Sequence, residues 1–285
     1  MTDDRDAADD DPSARASASN RGAARSRVVV ALPCYNEAAA VGHVIDTWHV
    51  TMPEAEVVVF DNASTDGTGA IARGRRVRVI EVPRRGKGFV VRAMFETLRD
   101  ADVVVLVDGD GTYPAESARD LIAPVLADRA DMTVGARVPT AEAGSLTPVR
   151  KLGNLLIRGA FRILVGAPSG DLLSGYRAFN RTYRDTVTLR SEGFEIETEL
   201  ASEAVARGLR VVEIPVVYRP RIAGSTSKLR AFRDGARILA MIVSQSARRR
   251  PARLATAALV AASLSILALA AAASWLNIPL PSLAR

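Results

Sequence analysis

"VVVLVDGDGTYP", residues 103–114, decides how the chain is read. Five apolar residues, four of them valine, form a run that suits a strand buried on both faces. It leads directly into Asp108 and Asp110, separated by one glycine. Carboxylates at the end of an apolar strand are costly unless a cation meets them. Residues i and i+2 on a strand end point to the same side, so both carboxylates converge on one place. Two such groups stay ionised together only with positive charge between them. A hard divalent ion, Mg²⁺ or Mn²⁺, meets that need because it is held by one or two carboxylates and completed by water and phosphate oxygens.

The same kind of strand recurs outward from this stretch. "RVVVALP" (27–33), "EVVVF" (56–60), "VRVIEV" (77–82), "DVVVLV" (102–107) and "DMTVGA" (131–136) alternate with segments of helical pattern that begin near Glu37, after Asp66, at Lys87 and at Pro114. This alternation predicts an α/β architecture with a mostly parallel sheet and helices on both faces. Ligands of such sheets lie beyond the carboxyl ends of the strands. The residues there are Pro33, Tyr35, Asn36 and Glu37, then Asp61 and Asn62, then Arg84 to Gly88, then Asp108 to Asp110. Two nucleotide sites are excluded, because neither G-x-G-x-x-G after the first strand nor G-x-x-x-x-G-K-[ST] occurs. "DGDGTYPAE" also lacks the sixth-position glycine and twelfth-position glutamate of a calcium loop.

Composition sets the frame. The 285 residues, 48% hydrophobic, support one main domain with appendages. Residues 1–27 hold almost no large apolar side chains and read as a disordered tail without a secretory signal. A single cysteine, Cys34, excludes an intrachain disulfide and a cysteine zinc site. The net charge of +6 is unevenly placed: residues 221–253 carry nine basic side chains against one acid, Asp234. That segment suits phosphates or anionic lipid. Nucleic acid fits less well, for want of aromatic residues to stack bases. Residues 254–276 hold no charge over 23 positions and predict a transmembrane helix. The arginines before it place the main domain on the cytoplasmic side of the cell membrane as a single-pass protein.

The ordered set "ALPCYNEAAAVGHVI", "VVVFDNASTDGT", "RRGKGFVVRAMFE", "VLVDGDGTYP", "VGARV", "DLLSGYRAFNR", "GFEIETEL" and "VVEIPVVYRPRIAGSTSKL" resembles family 2 glycosyltransferases of the GT-A fold. The polyprenyl- and dolichyl-phosphate mannose or glucose synthases are the most similar members. The resemblance covers about 27–246 and implies a catalytic domain over 28–228 with amphipathic helices at the membrane interface; charge and hydropathy add a basic juxtamembrane helix over 229–253, the membrane span over 254–276 and a short tail over 277–285. It implies that Pro33, Tyr35, Asn36, Glu37, Asp61, Asn62, Gly86, Lys87, Asp108, Gly109 and Asp110 bind a nucleotide diphosphate sugar, GDP-mannose or a UDP-hexose. Asp108 and Asp110 would hold the metal, and the glycines around Lys87 would let the backbone approach the nucleotide. Arg137, Arg150, Arg221, Ser227 and Lys228 would bind the acceptor phosphate, with Asp110, Arg137, Arg221 and Lys228 forming the catalytic set.

This implies inverting transfer of a hexose, mannose first, to polyprenyl phosphate at the cytoplasmic face. "DGDGTYP" differs from the D-A-D-L-Q-H-P of many mannose synthases, which leaves sugar and third metal ligand open. "RIAGSTSK" carries one residue more than the family's R-x-x-G-x-S-K. The alternative is another sugar donor, UDP-glucose or UDP-N-acetylglucosamine, or a hydroxyl acceptor; a hydroxyl needs a carboxylate base, for which Glu195, Glu197 and Glu199 are candidates. A phosphate acceptor is already anionic and needs cations to position it.

Overall fold

The computed structural model of the protein describes residues 26–139, 148–166, 170–228 and 230–275. In chain order the elements are β1 (Val28–Cys34), α1 (Ala38–Thr51), β2 (Glu56–Asp61), α2 (Thr68–Gly74), β3 (Arg78–Glu81), α3 (Lys87–Thr97), β4 (Val103–Leu106), α4 (Ala118–Leu126), β5 (Met132–Pro139), α5 (Pro148–Leu164), β6 (Arg177–Asn180), α6 (Arg181–Thr186), α7 (Ile196–Ala206), β7 (Val211–Tyr218), α8 (Ala231–Arg249) and α9 (Pro251–Trp275).

The continuous apolar strands are explained by two cores. Val28, Val30, Leu32 and Cys34 of β1 pack into one hydrophobic cluster, while Val29 and Ala31 pack into the other. β4 divides likewise, Val103 and Val105 to one side and Val104 and Leu106 to the other. With side chains alternating at period two and helices covering both faces, no polar position is tolerated within these strands. Each fully buried valine or leucine contributes about 1.5–3 kcal/mol.

The strands form one sheet in the order β3-β2-β1-β4-β6-β5-β7. β6 alone runs against its neighbours β4 and β5, and the remaining pairs are parallel. The parallel sheet was legible in the sequence; β6 and β7 were not assigned as strands. β6 holds a fully buried arginine, Arg177, whose Nε and Nη2 donate to the carbonyls of Ser174 (3.0 Å) and Leu172 (2.9 Å). A charge inside a core strand breaks the apolar pattern by which strands are recognised.

The outer strand β7 is anchored to β5 through Asp131. Its carboxylate accepts from the Arg210 backbone N–H (2.8 Å), from the Arg210 guanidinium (2.8 and 3.1 Å) and from Asn180 Nδ2 (3.0 Å). The Arg210 hydrogen bonds hold the acid down at about 2 against the partly opposing effect of burial. A depressed carboxylate contributes stability that is present above its unfolded pKa, ~3.9, and is lost as pH falls through its folded value. Thermal unfolding should therefore show wild-type stability declining between about pH 4 and about pH 2, and Asp131→Asn should remove this share of the decline.

A third cluster joins α5 to α8 through Ile157, Phe161, Leu164, Ile238, Met241 and Ile242. The opposite side of α5 leaves Leu152, Leu155, Leu156 and Ile163 more than half exposed. α9 is helical as expected, but the predicted membrane span is corrected: among the described residues no helix is long and apolar enough to cross a membrane. Leu276 and residues 277–285 lie outside the described residues, as do residues 1–25 of the expected tail. Arg27, at the end of that tail, is already held by Glu56 (2.6 Å).

Candidate active site

The carboxyl ends of β1 and β2 are stitched together before any ligand is considered. Ser64 Oγ accepts from the Asn36 backbone N–H (3.0 Å), Asn36 Oδ1 accepts from the Thr65 N–H (2.8 Å), and Asp61 Oδ1 accepts from the Ser64 N–H (3.0 Å). Asn62 is buried and fully used: Nδ2 donates to the carbonyls of Val82 (3.0 Å) and Arg84 (2.7 Å), and Oδ1 accepts from the Gly86 N–H (2.7 Å). Asn36, Asp61 and Asn62, expected to touch the donor, thus shape the loops on which a donor would rest. Tyr35 is covered by Arg85, whose guanidinium carbon lies 4.1 Å from the ring centre.

The glycines of "GKG" have a purpose the sequence did not reveal. A Cβ on Gly88 would come within 1.9 Å of the Ser191 carbonyl oxygen, and one on Gly86 within 2.2 Å of that of Glu192. Gly86 also adopts φ +140°, a backbone region that side chains rarely enter. They admit the 191–192 loop, which accepts the Gly88 N–H on Glu192 O (3.0 Å). That packing fixes Lys87 at the start of α3.

Lys87 is buried between two carboxylates, its Nζ 2.5 Å from Asp108 Oδ1 and 2.6 Å from Glu197 Oε1. Burial lowers its proton affinity, but the charges of Asp108 and Glu197 more than reverse this, so it remains an ammonium ion. Gly175 makes room for Asp108, since a Cβ there would stand 2.2 Å from Oδ2. Asp110 is 3% exposed. Its Oδ1 accepts from the Thr112 hydroxyl (2.7 Å) and N–H (3.0 Å), and its Oδ2 pairs with Arg221. Burial, then Asp108, push the Asp110 carboxyl up, while Arg221 and Thr112 pull it down. Thr112 here orients the second aspartate.

Each aspartate therefore already carries a cation of the protein itself. Lys87 and Arg221 each set one positive charge against one of the two carboxylates. Among the described residues no group of three or more metal-ligating side chains exists. Asp108 and Asp110 suit an ion that takes two carboxylates and fills its other positions with water and diphosphate oxygens.

The 219–228 loop closes over the site. The Arg219 N–H donates to Thr112 O (2.9 Å), Ser225 Oγ donates to Glu37 Oε2 (2.6 Å), and Lys228 Nζ donates to Asn36 O (2.9 Å) and to Glu37 Oε1 (3.2 Å). Burial pushes the Glu37 carboxyl up despite these partners.

One cleft of about 750 Å³ gathers Pro33, Tyr35, Glu37, Asn62, Gly86, Lys87, Asp108, Gly109, Asp110, Arg221, Ser227 and Lys228. Arg137 does not border it. Its guanidinium forms a two-point pair with Asp171 (2.6 and 2.7 Å). Arg150 lies in α5, but its side chain is outside the described residues. Arg230, Arg233 and Arg237 at the start of α8, part of the basic segment read from sequence as a surface for phosphates or anionic lipid, also line the cleft. Their spacing of three and four was the available signal.

The three glutamates of "GFEIETEL" have separate tasks. Glu197 holds Lys87. Glu199 accepts from the N–H groups of Arg190 (3.0 Å) and Ser191 (2.8 Å), and so supports the loop against "GKG". Glu195 Oε1 accepts from the Glu192 and Gly193 N–H groups, whereas its buried Oε2 has no partner among the described residues.

A mostly parallel sheet with paired aspartates beyond a central strand defines a glycosyltransferase of GT-A-like fold. The chain belongs to glycosyl transferase family 2, whose model matches residues 29–187. It is 38% identical over 208 residues to Glycosyltransferase AglJ of Haloferax volcanii, covering 73% of this chain and 68% of the relative. It is 35% identical over 217 residues to a Dolichyl-phosphate hexose transferase of the same organism, covering 76% and 92%. Its fold matches glucosyl-3-phosphoglycerate synthase from Mycobacterium tuberculosis in complex with Mn²⁺ and UDP-glucose, with TM-score 0.62 and 22% identity over 79% of each chain.

Proposed function

We propose that the protein transfers a hexose from a nucleotide diphosphate sugar to a polyprenyl phosphate at a membrane surface, with inversion at the anomeric carbon and with mannose as the first sugar to test. The observation that carries this reading is the pairing of Asp108 with Lys87 and of Asp110 with Arg221 at the end of β4. Asp108 and Asp110 would hold Mg²⁺ or Mn²⁺, which when bound neutralises charge growing on the departing diphosphate. The Mn²⁺ and UDP-glucose of the structural relative, and the name Dolichyl-phosphate hexose transferase of the sequence relative, support donor, metal and acceptor classes. Exposed Leu152, Leu155, Leu156, Ile163 and Phe232, close in sequence to many arginines, support attachment to an anionic lipid surface at the cytoplasmic face.

A hydroxyl acceptor is the second reading, favoured by one observation: the unpartnered Oε2 of Glu195, beside the cleft-lining Gly193 and Phe194. Purified protein with polyprenyl phosphate and GDP-mannose, UDP-glucose or UDP-N-acetylglucosamine in turn decides donor and acceptor. With a phosphate acceptor, Glu195→Gln should keep transfer within a few-fold of wild type. A loss of about a hundredfold or more with donor binding intact would install Glu195 as a base and the hydroxyl reading with it.

A further inference from the structure

Three of the cations expected to grip the acceptor phosphate are committed elsewhere. Arg137 is paired with Asp171, Arg221 with Asp110, and Lys228 with Glu37. Lys87, deeper in the cleft, is held by Asp108 and Glu197. The cleft nevertheless has a cationic wall. Arg230, Arg233 and Arg237 border it from the start of α8, and among the described residues none of their guanidinium groups forms an ion pair with a carboxylate. Asp234 lies between them, buried, and its Oδ2 accepts the Arg230 backbone N–H at 2.7 Å, so it holds the helix start.

Spacings of three and four place the three arginines on one helical face. Seven residues at 1.5 Å rise give a stripe about 10 Å long. It shares its cleft with Ser227 and Lys228 and with the strand-end residues. The inner face of the same helix, Ile238, Met241 and Ile242, packs on α5, whose other side exposes leucines. A ligand with an anionic head and a long apolar body finds both surfaces on neighbouring helices.

Resting on the acceptor class proposed above, we propose that Arg233 and Arg237, with Arg230 at the mouth, form the binding site for the acceptor's phosphomonoester head. Guanidinium groups suit this task because they present paired N–H donors to phosphate oxygens. The stripe binds the acceptor before reaction, while Arg221 remains on Asp110.

The test uses the full chain, a short-chain prenyl phosphate and the matching prenol. Arg233→Gln/Arg237→Gln should raise KM for the prenyl phosphate about tenfold or more, leaving donor affinity and turnover at saturating acceptor within twofold. Arg233→Lys/Arg237→Lys should restore part of the affinity, and the prenol should show no difference between proteins. A donor affinity that falls in step would assign the stripe to the donor and overturn the proposal. An unchanged KM would overturn it too, as would a defect confined to recovery on vesicles containing phosphatidylglycerol, which marks a general lipid surface. Failure of the functional reading is separable: wild-type protein would then transfer to no phosphate acceptor. Direct binding of the prenyl phosphate, compared between wild type and the double glutamine variant by fluorescence, still decides the stripe.

Discussion

Asp110→Asn should lower kcat/KM by about a thousandfold or more, ~4 kcal/mol of transition-state stabilisation. The side chain is almost wholly buried, its Oδ1 is fixed by two donors from Thr112, and its Oδ2 is the one that faces charge. Asparagine keeps the shape and the carbonyl that Thr112 needs, so the turn after β4 persists. The loss is the negative charge. Arg221, about one third exposed, can turn to water when its partner is neutral, so little stability is lost with the pair. Transfer should fall while the thermal midpoint moves by no more than a few degrees. Chelator should act on the wild-type enzyme in the same direction. Full transfer by wild type in excess chelator, or by the asparagine variant, would remove the paired-aspartate site from the mechanism.

How far the sequence revealed this site follows from what kind of interaction each residue makes. Asp108, Asp110, Lys87 and Glu37 stand at strand ends, and strand ends are visible because buried parallel strands are unbroken apolar runs. Their partners come from far along the chain: Glu197 meets Lys87 across 110 positions, and Lys228 meets Glu37 across 191. No local pattern encodes such pairings. Arg137 was singled out by its motif, yet its guanidinium is held by Asp171, a residue 34 positions on. The "GKG" glycines were read as room for a ligand and turn out to admit the protein's own 191–192 loop. At the carboxyl end, counting uncharged residues predicts a membrane span over 254–276, whereas among the described residues no helix is long and apolar enough to cross a membrane.

Lys87→Met should destabilise the fold by about 3–5 kcal/mol at neutral pH, the usual cost of removing one partner from a buried ionic group. The Lys87 side chain is 8% exposed and its ammonium touches both Asp108 and Glu197; the Glu197 side chain is itself 6% exposed, with Arg177 the next cation to influence it. Without Lys87, Glu197 either holds a charge in the core or takes up a proton. Burial already pushes its carboxyl above the ordinary value, and loss of the ammonium pushes it further. A raised carboxyl contributes stability below its unfolded pKa, ~4.3, and loses it as pH rises through the folded value. The deficit of Lys87→Met relative to wild type should therefore shrink as pH is lowered from 7 towards 5. Adding Glu197→Gln removes the uncompensated acid and should recover most of the stability at pH 7. Transfer should remain low in the double variant, because no ammonium then stands beside Asp108. Denaturant unfolding of the single and double variants at pH 7 and pH 5 separates the two roles. If Lys87→Met matched wild type at pH 7, Lys87 would be a solvated surface cation and the argument that fixes it at the site would fail.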